Sequence, residues 1–274
     1  MAIDSSIKIK AGKGEGGKMK GHQIISKVNL GIRQTAKKYG YDLTIRRINT
    51  IEEKKIYAPI RVQATYNPWN ENKQFTETYN KIKNNTTLDK ARLYTLWELT
   101  KQVKNMEGSI IEIGCWKGGS GAIIAKSAEQ AKIKETIYLI DTFKGCVKIT
   151  NKDKYYKGGE HSDATKEEVE KLAKETQLNK IKVLQGIFPE ETEKEIKSFK
   201  FRLAHIDVDT YQSAKDTTNY ILPKLVKGGI MIYDDYGFMG TQGVTEYIKE
   251  LKAKEKEAVL LIYNLNGQGI IIKR

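Results

Sequence analysis

The chain has 274 residues, 39% hydrophobic and 30% charged, a balance that supports a large buried core and is globular rather than disordered. No apolar run approaches the roughly 20 residues that a membrane-spanning helix needs, and the start "MAIDSSIKIKAGKGEGGKMKG" lacks the apolar core of a secretory signal, so a cytoplasmic protein is expected. The net charge of +14 invites an anionic partner, but +8 of it lies in residues 1–60, and a solubilising Lys-rich surface is the commoner cause of such an excess.

Cys115 and Cys146 are the only cysteines, which excludes a disulfide scaffold and suits a reducing compartment. Residues 11–21, "AGKGEGGKMKG", read as a flexible loop or arm; Gly12 to Lys18 fits G-x-x-x-x-G-K, but Met19 stands where a P-loop needs Ser or Thr, and no long apolar strand precedes it. An amphipathic stretch, "IISKVNLGIRQTAKKYG", and a β-like "YDLTIRRI" follow. "YNPWNENKQF" is turn-rich. From Phe75 to Val103 apolar and aromatic residues recur at helical spacing, which predicts two helices.

After Gly108 the pattern becomes short apolar strands alternating with amphipathic helices. The expected strands are "SIIEIGC", "TIYLIDTF", "IKVLQG", "RLAHIDVD", "GIMIYDD", "AVLLIYN" and "GIIIKR", with helical patterns in the first four gaps and "VTEYIKELKAK" before the sixth strand. Such alternation predicts a parallel sheet covered on both faces. The last two strands, joined by "LNGQ", leave no room for a helix and must form an antiparallel hairpin. The expected fold is therefore α/β: a doubly wound, seven-stranded, mostly parallel sheet with a reversed strand at its edge. Ligands in such sheets sit beyond the carboxyl ends of the strands.

The first strand ends "EIGCWKGGSG". Gly114, Gly118 and Gly119 permit a sharp turn into a helix N-terminus, and Glu112 can accept hydrogen bonds. The second ends in Asp141, placed to hold the hydroxyls of a ribose, and the third in Gln185 and Gly186, with Phe188 near enough to meet a base. Together they describe a site for an adenosine-containing ligand. The fourth strand carries "HIDVDTYQS": residues two apart in a strand share a face, so Asp207 and Asp209 are expected to point the same way. The fifth closes on Asp234 and Asp235. An acidic pair alone is common at helix N-termini, but three or four carboxylates on one rim need a cation, and an all-oxygen set suits Mg²⁺, with Mn²⁺ or Ca²⁺ as alternatives.

These residues resemble the macrocin O-methyltransferase family, class I S-adenosylmethionine-dependent and metal-dependent sugar O-methyltransferases. The resemblance runs from Pro68 to Gly237 and rests on "PWN", "RLYTLWEL", "EIGCWKGGS", "DTFKG", "DVDTYQS" and "LPKLVKGGIMIYDDYG" in that order. Lys117 stands where the family usually has Arg and Val208 where it usually has Gly, and residues 1–60 carry none of these motifs. The resemblance implies a Rossmann-like methyltransferase domain over residues 67–274, with 67–107 as a helical lid or cap, and a basic segment 1–66 as an arm or lid. It implies Mg²⁺ on Asp207, Asp234 and Asp235, with Asp207 also the catalytic base. It further implies a nucleoside held by Glu112, Gly114, Trp116, Gly118, Ser120, Asp141, Thr142, Phe143, Gln185, Gly186, Phe188 and Asp207. The acceptor would be a sugar or another small molecule with neighbouring oxygens, and the protein a homo-oligomer.

Asp209 is a second candidate base, His205 is expected to be a buried core residue, and Cys115 a packing residue rather than a nucleophile. Trp69, Tyr94 and Trp97 suit either a lid or the core. Two other functions compete. An RNA methyltransferase would use the basic N-terminal segment, but the chain has no Asn/Asp-Pro-Pro-Tyr motif and nucleic acid is not the expected partner. A binding module without chemistry would not need a clustered acidic rim.

Overall fold

The computed structural model describes residues 56, 57, 60 and 64–274; what is read above on residues 1–55 lies outside the described residues. Strands β1 (Ser109–Ile113), β2 (Ile137–Asp141), β3 (Ile181–Gln185), β4 (Phe201–Ile206), β5 (Leu225–Tyr233), β6 (Val259–Tyr263) and β7 (Gly269–Lys273) form one sheet in the order β3-β2-β1-β4-β5-β7-β6. The first five are mutually parallel, and β7 runs antiparallel to both β5 and β6.

Among the described residues the helices are α1 (Lys73–Ile82), α2 (Lys90–Gln102), α3 (Gly119–Gln130), α4 (Lys166–Glu175), α5 (Tyr211–Lys224) and α6 (Gln242–Lys254). Their starts follow from local chemistry. Asp89 caps α2 by accepting hydrogen bonds from the Ala91 and Arg92 amides at 2.9 and 3.0 Å, and Thr165 with Glu168 forms a reciprocal capping box on α4. Alternation along the strands divides the core between the two faces of the sheet. Ile110, Leu139 and Leu203 meet Phe75, Trp97 and Ile123 of α1, α2 and α3 on one side. Ile111, Ile140 and Ala204 meet Ala214, Ile221 and Ile248 of α5 and α6 on the other.

Two expectations change in detail. The reversed strand β7 lies one place in from the edge, between β5 and β6. The α6 crossover returns β6 parallel to β5 and leaves a gap one strand wide, which the hairpin fills. The gap between β3 and β4 holds only a 3-10 turn, Glu193–Glu195, instead of a helix. That link must travel from β3 at the sheet edge past β2 and β1 to β4, about 14 Å at the usual strand spacing, and its 15 residues are drawn out accordingly. Among the described residues no helix is long and apolar enough to cross a membrane.

Candidate active site

The carboxyl ends of β1 to β5 open onto one cavity of about 310 Å³. The turn after β1 forms its floor. Gly114 has φ +86°, and a Cβ there would collide with the backbone carbonyl oxygen of Asp207, so glycine lets the β1 turn lie directly against the end of β4. Asp141 ties the turn to β2: its carboxylate accepts the Trp116 amide and the Phe143 amide, both at 2.8 Å. Burial raises the Asp141 pKa, and these two amides oppose the rise by favouring the charged form. A carboxylate has about four acceptor positions, so Asp141 retains capacity for hydroxyls.

Of the twelve residues expected at a nucleoside, Gly114, Trp116, Ser120, Asp141, Thr142, Gly186, Phe188 and Asp207 line the cavity, and Glu112, Gly118, Phe143 and Gln185 lie outside its lining. Glu112 is fully buried within the sheet, where its Oε1 lies 2.8 Å from His205 Nδ1. It points into the α3 layer like Ile110, under Gly121, because strand alternation sends it there and not towards the rim. Gly118 caps α3 with φ +80° and faces Val169, and Phe143 contributes its amide to Asp141 while its ring packs on the core.

Asp207, Asp234 and Asp235 converge: one carboxylate oxygen from each lies within 4.8 Å of the others. Burial and the neighbouring Asp234 and Asp209 push Asp207 well above the usual carboxylate range, with Arg92 opposing. Burial, Asp209, Asp207 and Asp234 push Asp235 the same way. Asp234 is raised by burial, against the pull of Arg92, His205 and Gln268. Asp235 Oδ2 is buried and has no hydrogen-bond partner among the described residues. An all-oxygen group with an orphaned acceptor and mutually repelling charges fits a hard divalent cation.

Asp209 does not join this group. The strand ends at Ile206, and Asp209 adopts φ +59°, so the face-sharing rule no longer holds beyond the strand. Its carboxylate instead accepts the Tyr156 hydroxyl at 2.6 Å and the Cys146 thiol at 3.4 Å, tying the long β2–α4 connection to the end of β4. Burial, then Asp209, pushes the Cys146 thiol and the Tyr156 hydroxyl up, so both serve as proton-bearing donors. His161 also lines the cavity, and the Trp116 indole is fixed by Asp163 at 2.8 Å.

Arg92, Tyr156 and Phe238 reach the cavity without having been singled out from the sequence. Arg92 makes a close ion pair with Asp234, a second with Asp89 at 3.0 Å, and lies 5.2 Å from the centre of the Phe238 ring. The signal was available: a crowded acidic rim needs a cation, and Arg92 opens "RLYTLWEL". Trp97 and its aromatic neighbours Phe75, Tyr94 and Trp69 are core instead of lid, with ring centres of successive pairs 5.0 to 6.1 Å apart. From this helical segment it is the α1–α2 connection, Asn85 to Leu88, and Arg92 that face the cavity.

A family model described as Macrocin-O-methyltransferase (TylF) matches residues 35–266. The chain belongs to the macrocin O-methyltransferase family. It is accordingly an O-methyltransferase, and the match extends the family upstream of Pro68 into the basic segment, where the sequence motifs showed no likeness. The fold is similar to that of the O-methyltransferase NovP, at 23% identity over 69% of this chain and 82% of that one, with a TM-score of 0.59. It is similar also to the calicheamicin methyltransferase CalS11, at 16% identity over 76% and 94% of the two chains, TM-score 0.58. A third likeness is to a putative caffeoyl-CoA O-methyltransferase from Staphylococcus aureus, at 16% identity, 75% and 95% coverage and TM-score 0.53. No curated protein matches the chain.

Proposed function

We propose that this O-methyltransferase uses S-adenosylmethionine to methylate a hydroxyl of a sugar or similar small molecule with neighbouring oxygens, at a Mg²⁺ site made by Asp207, Asp234 and Asp235. The observation that carries the proposal is the meeting of these three carboxylates in the cavity that also holds the β1 turn and Asp141. One solved relative, CalS11, described as a TDP-rhamnose 3'-O-methyltransferase of calicheamicin biosynthesis, supports the acceptor class.

Bound in this cavity, the sulfonium supplies an activated methyl group and the divalent ion acidifies and orients an acceptor hydroxyl. The chain's own residues do the rest. Asp141 accepts the ribose hydroxyls with the lone pairs its two amide donors leave free, and Gly186 and Phe188 offer the base a close backbone and an apolar face. Thr217 Oγ1, buried in the cavity wall without a partner among the described residues, is a further polar atom for the ligand to satisfy. Asp207, which lines the same cavity, takes the hydroxyl proton as general base. Arg92 and the cavity wall restrict the acceptor's approach, so that alignment supplies much of the acceleration. The unpaired cysteines suit the reducing cytoplasm in which we place the enzyme.

Calorimetry with S-adenosylhomocysteine, with Mg²⁺ and with EDTA, followed by labelled methyl transfer to a panel of sugars, tests this. Nucleoside binding, a melt raised by Mg²⁺ in the wild type but not in Asp235→Asn, and methylation of a sugar are expected. Absence of nucleoside binding, or methyl transfer to RNA in preference to sugars, would overturn the proposal.

A further inference from the structure

Asp234 is gripped from two sides, and both grips lead back to one turn. Its Oδ1 accepts the side-chain amide of Gln268 at 3.1 Å, and its Oδ2 pairs with Arg92. Gln268 is fully buried immediately before β7, in the turn Asn264-Leu265-Asn266-Gly267-Gln268 that closes the hairpin. Asn264 holds the turn with its own side chain. Its Oδ1 accepts the backbone amides of Asn266 at 2.9 Å and Gln268 at 3.1 Å, while its Nδ2 donates to Gln268 Oε1 at 2.8 Å.

That last bond fixes which way the Gln268 amide faces. With Oε1 occupied by Asn264, the NH₂ group must turn to the carboxylate, which accepts and does not donate. The second grip has the same root. Asn266 Nδ2 donates at 3.1 Å to Asp89 Oδ1, and Asp89 holds the Arg92 guanidinium through its other oxygen at 3.0 Å. Gly267 has φ +85°, and a Cβ there would collide with the Phe238 ring on which Arg92 rests. Three successive turn residues therefore bear on Asp234, through Gln268 directly and through Asp89 and Phe238 by way of Arg92.

The geometry points to Gln268 as a positioning residue for the metal site, with the β6–β7 turn as the clamp that holds the Asp234 carboxylate at the angle the ion requires. This rests on the metal reading proposed above. Two of the roughly four acceptor positions of the carboxylate are taken by Gln268 and Arg92, which leaves the others directed away from both donors. Partners of this kind fix the orientation of a metal-binding carboxylate, and their removal typically weakens affinity roughly 10- to 100-fold. The hairpin closing the sheet thus belongs to the site as well as to the fold.

The test uses the full-length protein and Mn²⁺ as probe, counting free ion by electron paramagnetic resonance, with S-adenosylhomocysteine affinity measured alongside. Gln268→Met keeps the bulk and removes the donor, and it is expected to raise the Mn²⁺ Kd by roughly 10-fold or more with nucleoside affinity within about twofold of wild type. Gln268→Glu keeps the shape but sets an acceptor against Asp234, and it should weaken Mn²⁺ at least as much, whereas a packing role would leave it near wild type. Asn264→Ala, which frees the Gln268 amide without touching Asp234, should give a smaller loss in the same direction. Wild-type Mn²⁺ affinity in all three variants would overturn the inference. So would parallel loss of Mn²⁺ and nucleoside binding, which would assign Gln268 to the fold. A wild-type protein that binds the nucleoside but no Mn²⁺ would remove the metal reading itself, and this inference with it.

Discussion

Replacing Arg92 by Met tests the electrostatic argument at its centre. The change removes the only cation paired with Asp234 among the described residues and leaves that carboxylate, whose side chain is 1% exposed, beside Asp207 and Asp235. Breaking a buried pair by removing one partner costs about 3–5 kcal/mol, and for a domain of this size each kcal/mol moves Tm by about 2–4 °C. A fall of roughly 6–20 °C is therefore expected at pH 8 in EDTA. The pH dependence has a definite sign. Arg92 pulls the Asp234 pKa down, so its loss raises a value already above the unfolded one. A raised carboxylate pKa favours the folded state at low pH, and that contribution is lost as pH rises towards the folded value. The variant should thus come closer to wild-type stability as pH is lowered towards the unfolded carboxylate range and fall away as pH rises. Mg²⁺ at about 100 times its Kd should restore about 2.7 kcal/mol. Thermal melts from pH 5 to 8 with EDTA or Mg²⁺ measure all of this. A variant melting within about 2 °C of wild type at pH 8 in EDTA would refute the reasoning, because the acidic group would not need its cation.

Asp207→Asn should lower kcat by about 10²- to 10⁴-fold while S-adenosylhomocysteine affinity, read by calorimetry, changes little. Gly114→Ala forces an alanine into φ +86° against the Asp207 carbonyl; a cost of roughly 2–4 kcal/mol in urea unfolding is expected, with a fall in kcat as Asp207 shifts. Because Asp207 and Asp235 are held above the usual carboxylate range and must lose their protons to bind a cation, Mn²⁺ affinity should fall as pH is lowered through their raised pKa values, while nucleoside affinity changes less. Tyr156→Phe removes the shorter of the two bonds on Asp209. With the β2–α4 connection less firmly tied, acceptor KM should rise more than kcat falls, by roughly a factor of ten for a bond of about 1–1.5 kcal/mol.

The alternation of short apolar strands with amphipathic helices was enough to specify a doubly wound sheet, because burial on both faces requires continuous apolar strands, and a β-strand-to-parallel-strand connection requires a crossover. The Asn-Gly turn signal similarly required the terminal hairpin. Each strand's last residues, Gly114, Asp141, Gly186, Asp207 and the Asp234-Asp235 pair, could be placed on one rim, since parallel strands all end on the same side. Those inferences depend on local periodicity and on a chirality common to all such sheets.

What required the tertiary structure were relations between residues far apart in the chain. Period-two alternation put Asp209 beside Asp207, but the strand stops at Ile206, and Asp209 turns to Tyr156 and Cys146, more than 50 residues away. Glu112 lies on the strand that leads to the glycine turn, yet its partner is His205 of β4, a pairing set by sheet order and register. Arg92 and Gln268 lie 142 and 34 residues from Asp234, on either side of it in the sequence, and the fold brings both to its carboxylate. A sequence shows which side chains can carry charge. Only the packed sheet decides which charges are forced together, since desolvation and Coulomb energy depend on distances that chain spacing does not encode.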